Sequence, residues 1–99
     1  MLTLPVKKKW FGMILMSKKN VEYRELTGYW IHRLRRACVV QQVPMNGCGL
    51  RLQLRNGYGL DVPTMFITLS KIDTGPGIEE WGAEPGKEYL RLHIARRST

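Results

Sequence analysis

From residue 50 onward the chain is written in period two. Leu50, Leu52 and Leu54 alternate with Arg51, Gln53 and Arg55, and Leu90, Leu92 and Ile94 alternate with Arg91 and His93. Successive side chains of a strand point to opposite faces, so each run predicts a strand with one apolar and one polar face. Met65 to Ile72 is almost continuously apolar or β-branched and predicts a central strand between them. Asn56 to Pro63 supplies turn chemistry, and Thr74-Gly75-Pro76-Gly77 is read as the break that ends the central strand.

The first half reads differently. Leu2 to Val6 predicts a short strand, stopped by Pro5 and the lysines that follow. Lys8 to Met16 predicts a helix in which Trp10, Met13 and Ile14, or Phe11, Ile14 and Leu15, share a face. Gly12 weakens that helix by roughly 1 kcal/mol relative to Ala. Tyr29 to Arg36 predicts a second helix after Thr27 and Gly28, with Trp30, Ile31 and Leu34 inward and Arg33, Arg35 and Arg36 outward. Val39 to Gly49 reads as a loop or irregular edge strand. Short strands separated by Gly and Pro turns, with one or two short helices, predict an α+β fold built as a small mixed β-barrel.

A chain of 99 residues with 43% hydrophobic content suits one domain spanning residues 1–99 and one modest core. Sixteen Lys and Arg against eight Asp and Glu give a net charge of +8. The excess is uneven: residues 1–50 hold nine bases and two acids (9 − 2 = +7), residues 51–99 seven and six (7 − 6 = +1). A one-sided excess favours anionic partners, chiefly nucleic acid, although basic charge also serves solubility. Trp10 to Met16 is too short for a membrane span and lacks a small-residue cleavage site, which gives the expectation of a soluble cytoplasmic protein without a membrane partner.

Metal and cofactor chemistry have little to build on. Cys38 and Cys48 lack Cys-x-x-Cys spacing, and His32 and His93 are single, so no metal site is expected and a disulfide has no support. Gly57-Tyr58-Gly59 and Gly75-Pro76-Gly77 lack the third glycine and following helix of a dinucleotide fingerprint, and read as turns. No cofactor is expected.

One constellation remains. Ser17-Lys18-Lys19-Asn20-Val21-Glu22-Tyr23-Arg24 crowds cations and a carboxylate between two apolar segments. A strand over Val21 to Arg24 puts Glu22 and Arg24 on one face, with Lys19 delivered by the preceding turn, and turns Val21 and Tyr23 into the core. Arg51 and Arg55 extend the basic surface, and Trp10, Tyr29, Trp30 and Tyr58 are aromatic candidates beside it. Cations for phosphates plus an aromatic face for an exposed base is how small barrels take RNA. A half-buried strand with a solvated charged face, its Glu22 paired to Lys19 or Arg24, gives the same pattern without a ligand.

The same residues resemble the ASCH family, small PUA-like barrels that open with a strand, a helix and Gly-x-Lys-x-x-Glu-x-Arg. Lys19, Glu22 and Arg24 fall on the Lys, Glu and Arg of that pattern, and Ser17 stands where the Gly is expected. Leu4-Pro5-Val6, Lys9-Trp10-Phe11, Arg55-Asn56-Gly57-Tyr58-Gly59 and Glu80 to Tyr89 are similar to segments of its small bacterial and phage-type members. The resemblance implies binding of RNA or a modified nucleoside in a groove of Lys19, Glu22 and Arg24, and the basic and aromatic candidates above add Arg51, Arg55, Tyr58 and Trp10 to the expected binding residues. It also implies an alternative. Some compact members are amidohydrolases that deacetylate N4-acetylcytidine with the motif Lys, a Thr where this chain has Glu22, and a distant Glu. Lys19 and Glu22 would then be catalytic, with Glu79, Glu80 or Glu84 as the distant acid. Ribonuclease activity is a weaker implication of the same resemblance.

Overall fold

The computed structural model describes Met1 to Thr99. Five strands and two helices follow one another as β1 (Thr3–Val6), α1 (Lys8–Leu15), β2 (Val21–Glu25), α2 (Gly28–Gln41), β3 (Arg51–Asn56), β4 (Thr64–Pro76) and β5 (Glu88–Ser98), with a 3₁₀ turn at Glu79–Trp81. The fold is α+β. One mixed sheet holds all five strands in the order β1-β3-β4-β5-β2. β1 runs parallel to β3, and every other pair is antiparallel.

Alternation sets the layers as the sequence predicts. Leu52, Leu54, Met65, Ile67, Leu69, Leu90, Leu92 and Ile94 all face one buried core, which Phe11 and Ile14 of α1 and Leu34, Ala37 and Cys38 of α2 complete. The opposite face carries Gln53, Phe66, Thr68 and Arg51. Register shifts around Thr68 to Lys71 put a bulge between β4 and β5, which bends the long strands.

Two readings of the sequence need correction here. The central strand does not break at Thr74: β4 runs to Pro76, which pairs with Glu88 at the end of the ladder. Pro is tolerated there because it sits at a strand terminus. α2 does not stop at Arg36 but continues to Gln41, because Ala37 and Cys38 carry its buried stripe onward, so the first residues of the unread segment are helical. The sheet is not closed by backbone hydrogen bonds. β1 and β2 are its two edges, joined instead by a side chain, as Arg24 Nη2 donates to Pro5 O across 2.7 Å.

Both helices end in the same way, and this matters for the site. Ser17 N–H donates to Ile14 O at 3.0 Å and Lys18 N–H to Met13 O at 2.8 Å. Gln42 and Val43 repeat the pattern on Val39 O and Cys38 O at 3.1 and 3.0 Å. These are Schellman closures, whose pivot residue takes the left-handed conformation that Gly adopts without penalty. Here the pivots are Ser17 (φ 60°) and Gln42 (φ 57°). Replacing Gln42 by Gly is expected to raise stability by about 0.5–1 kcal/mol, a few degrees in Tm. Ser17→Gly should gain less, because Ser17 Oγ accepts a 2.7 Å hydrogen bond from Arg97 Nη1. Thermal melts of the two variants check the order; a loss of stability in Gln42→Gly contradicts the closure.

Candidate functional site

The closure at Ser17 leaves Lys18 exposed and steers Lys19 under the sheet edge. Lys19 N–H also bonds Met13 O, at 3.1 Å, and Arg97 clamps the turn through Ser17 Oγ and, at 3.0 Å, Asn20 Oδ1. Asn20 O then accepts from Ile94 N–H and starts the pairing of β2 with β5. Lys19 therefore enters the interior as the best-buried cation of the chain, 1% exposed, beside Glu22 at 5%. Lys19 Nζ lies 2.5 Å from Glu22 Oε1, and Arg24 Nη2 lies 3.1 Å from Glu22 Oε2. One carboxylate thus holds two cations, each with an aromatic platform. Lys19 Nζ is 5.3 Å from the centroid of Trp10 and 5.5 Å from that of Tyr23, while the Arg24 guanidinium is 5.0 Å from that of Trp30. Cation–π attraction strengthens as such groups leave water.

The three charges form the floor of a cleft of about 520 Å³. Trp10, Trp30, Tyr58 and Trp81 wall it, and Lys7, Glu84 and Lys87 stand at its margin. The floor has unspent donors. Lys19 has three N–H bonds and Glu22 is its sole hydrogen-bond acceptor, while Arg24 Nε is buried with no partner at all. A buried donor left unmade costs about 1–3 kcal/mol unless water or a ligand meets it, and Arg24 Nε shares that condition with Arg97 Nε outside the cleft.

Of the sequence candidates, Lys19, Glu22, Arg24, Trp10, Trp30 and Tyr58 meet in this cleft. Arg51 and Arg55 do not. Arg51 is exposed on the sheet face away from the core, and the Arg55 guanidinium is taken by the carbonyls of Gly59 and Leu60. Tyr29 lies behind Trp30, edge-on at 5.1 Å between ring centroids. The expected orientation of Val21 and Tyr23 is reversed. Glu22 and Arg24 pair with Leu92 and Leu90 on the core side, and Val21 and Tyr23 pair with His93 and Arg91 on the other. The polar pair can sit inward because β2 is an edge, where the Arg24 side chain fills the gap to β1. Among the three distant acids, Glu84 reaches the cleft, whereas Glu79 and Glu80 do not line it.

A second cluster escaped the sequence reading. Arg91 grips Asp73 through two hydrogen bonds of 2.8 and 2.9 Å, and His93 Nε2 lies 2.9 Å from Asp73 Oδ1. Arg91 and His93 were visible as polar alternates in β5, but their meeting with Asp73 depends on the β4–β5 register. The Arg91 guanidinium holds the Asp73 carboxyl well below the usual carboxylate range; partial burial opposes this and His93 adds to it. The unfolded chain therefore takes up this proton first as pH falls. The resulting stability is fully present above about pH 4 and is lost as pH drops below it. Asp73→Asn should flatten the acid side of a plot of urea midpoint against pH; an unchanged slope between about pH 2 and 4 contradicts this.

Cys38 and Cys48 are both free thiols, and burial pushes that of Cys38 up. No three His, Cys, Asp or Glu side chains converge, and no helix is long and apolar enough to cross a membrane. No family model, curated protein or solved structure matches the chain.

Proposed function

We propose that the cleft receives a nucleobase, from RNA or as a modified nucleoside, and that the chain is an ASCH-like binding domain. The unspent donors of Lys19 and Arg24 beneath aromatic walls carry the reading. A planar base offers carbonyl and ring-nitrogen acceptors to the floor and a π face to the walls, and base–aromatic stacking contributes about 1–3 kcal/mol per base. Glu22 contributes as well, since a carboxylate beside a cation accepts from an exocyclic amine while Lys19 or Arg24 donates to a neighbouring acceptor. On this reading the curled sheet is a PUA-like barrel left open at the seam between β1 and β2. Ser17 supports it too, because the motif's Gly position coincides with a left-handed residue.

One observation favours the amidohydrolase alternative. Glu84 lines the same cleft as Lys19, Glu22 and Glu25, so a buried lysine and three carboxylates share one space. Hydrolysis would add water to the acetyl carbonyl and break its bond to N4, releasing acetate and cytidine. The Lys19 ammonium is already engaged by Glu22, which suits holding an acceptor better than taking a proton from water.

All three tryptophans of the chain, Trp10, Trp30 and Trp81, line the cleft, so intrinsic fluorescence reports on it directly. Titration with N4-acetylcytidine, common nucleosides and short single-stranded RNAs should give saturable quenching that ribose 5-phosphate does not give. Mass analysis of the same mixtures should find no acetate release. Absence of quenching by every base-containing probe overturns the binding reading, and turnover of N4-acetylcytidine replaces it with the enzymatic one.

A further inference from the structure

Outside the cleft, unneutralised charge collects on α2 and the outer sheet face. Arg33, Arg36 and Gln41 recur on one side of α2 and border a depression of about 830 Å³, closed on its far side by Leu2, Thr3 and Arg51. Arg51 also borders a second depression of about 440 Å³, with Phe66, Thr68 and Arg96. The register explains the continuity: Arg51 pairs with Thr68, and Thr68 with Arg96, so both arginines project from one cross-strand row. Gln41 fixes the start of that row by bonding both main-chain groups of Arg51, at 2.7 and 2.9 Å.

Arg33, Arg36, Arg51 and Arg96 form no ion pair, and no Asp or Glu borders either depression. The row also joins the cleft. The Arg33 guanidinium sits 5.3 Å from the centroid of Trp30, the same ring that carries Arg24 on the cleft side.

We propose that Arg33, Arg36, Arg51 and Arg96 form a track for the phosphodiester backbone of a single-stranded RNA that leaves the cleft over Trp30. The inference rests on the nucleobase reading of the cleft and adds where the rest of the strand runs. Single-stranded RNA fits because it needs spaced cations for its phosphates together with flat surfaces for its bases. Arg33 beside the rings of Tyr29 and Trp30, 5.3 Å from each centroid, and Arg51 at 5.8 Å over Phe66 provide both at neighbouring positions. Concave, carboxylate-free ground between the arginines leaves room for a strand.

The test compares wild type with the triple variant Arg36→Ala, Arg51→Ala, Arg96→Ala. All three residues are exposed, so the fold is expected to survive, which a thermal melt verifies. Arg33 is kept because it braces Trp30. The probes are the four common nucleoside monophosphates, a mixed-sequence octaribonucleotide, and vesicles containing phosphatidylserine. Wild type should bind the octamer more tightly than any monophosphate, with an affinity that falls steeply as salt rises. In the variant, octamer affinity should drop more than about tenfold and the log–log salt slope should shrink by roughly two, while monophosphate binding stays unchanged. The corresponding triple Lys variant should recover most of the slope, since point charges still meet phosphates.

An octamer affinity and slope equal to wild type overturn the track and leave the cleft reading standing. Octamer binding lost in the variant while no monophosphate binds wild type supports the track and removes the nucleobase reading. Vesicle binding lost in the variant, without octamer binding to wild type, overturns the proposal in favour of a membrane surface. No binding of any probe overturns both readings.

Discussion

Glu22→Gln is expected to destabilise the protein by about 3–5 kcal/mol, a fall in Tm of more than about 12 °C. Glu22 is the one carboxylate between two cations, and it and Lys19 are almost wholly removed from water. Losing its charge leaves the Lys19 ammonium buried without a counter-ion, and the amide returns only neutral hydrogen bonds. The interaction contributes in both directions, so Lys19→Met in the same chain should recover most of the loss. A buried pair exchanged for groups of similar volume is often neutral in stability, and the Gln oxygen still accepts from Arg24. Urea unfolding of the single and double variants measures this coupling. A Glu22→Gln cost under about 1 kcal/mol, or no recovery in the double variant, contradicts the burial and pairing described above.

The same double variant gives the largest expected effect on binding. With Lys19→Met and Glu22→Gln together, the fold is retained but the cleft floor loses a charged donor and a charged acceptor. Hydrogen bonds to charged groups are each worth about 1.5–3 kcal/mol, so two of them correspond to a loss of roughly 100-fold or more in affinity for a bound nucleoside. Lys19→Arg is a poorer probe than the residue's chemistry suggests, because a guanidinium overpacks a site enclosed by Trp10, Tyr23 and Glu22. Quenching titrations on the double variant decide whether the buried pair serves the ligand or only the fold. Unchanged affinity assigns it to the fold alone.

Local pattern made much of this molecule legible. Period two located β3 and β5 and their core faces, and helical spacing located α1 but left two inner faces open, of which Phe11 and Ile14 are buried while Leu15 is exposed. The motif residues Lys19, Glu22 and Arg24 were legible as a group because they lie within six positions of one another. Features set by long-range register were not. The same alternation is compatible with either face of β2 pointing inward, and only the approach of β1, bridged by Arg24 to Pro5, makes the polar face the inner one. Arg51 looked like part of the groove because its type fits, yet two strands, β4 and β5, separate β3 from β2 and put it elsewhere. Trp81, Glu84 and Lys87 join the cleft from more than fifty residues away, and Asp73 finds Arg91 only across a bulged ladder. The extension of α2 was hidden by Val39 and Val40, whose β-branching lowers helix propensity while the stripe through Ala37 and Cys38 holds the helix together.

The claim that a base enters the cleft is tested most directly by photo-crosslinking. A short single-stranded RNA carrying 4-thiouridine is irradiated with the wild-type protein, and the attached residues are mapped by mass spectrometry. Attachment is expected at Trp10, Trp30, Tyr58 or Trp81, and should disappear in the Lys19→Met, Glu22→Gln variant. Attachment confined to other surfaces, or undiminished in that variant, contradicts the account.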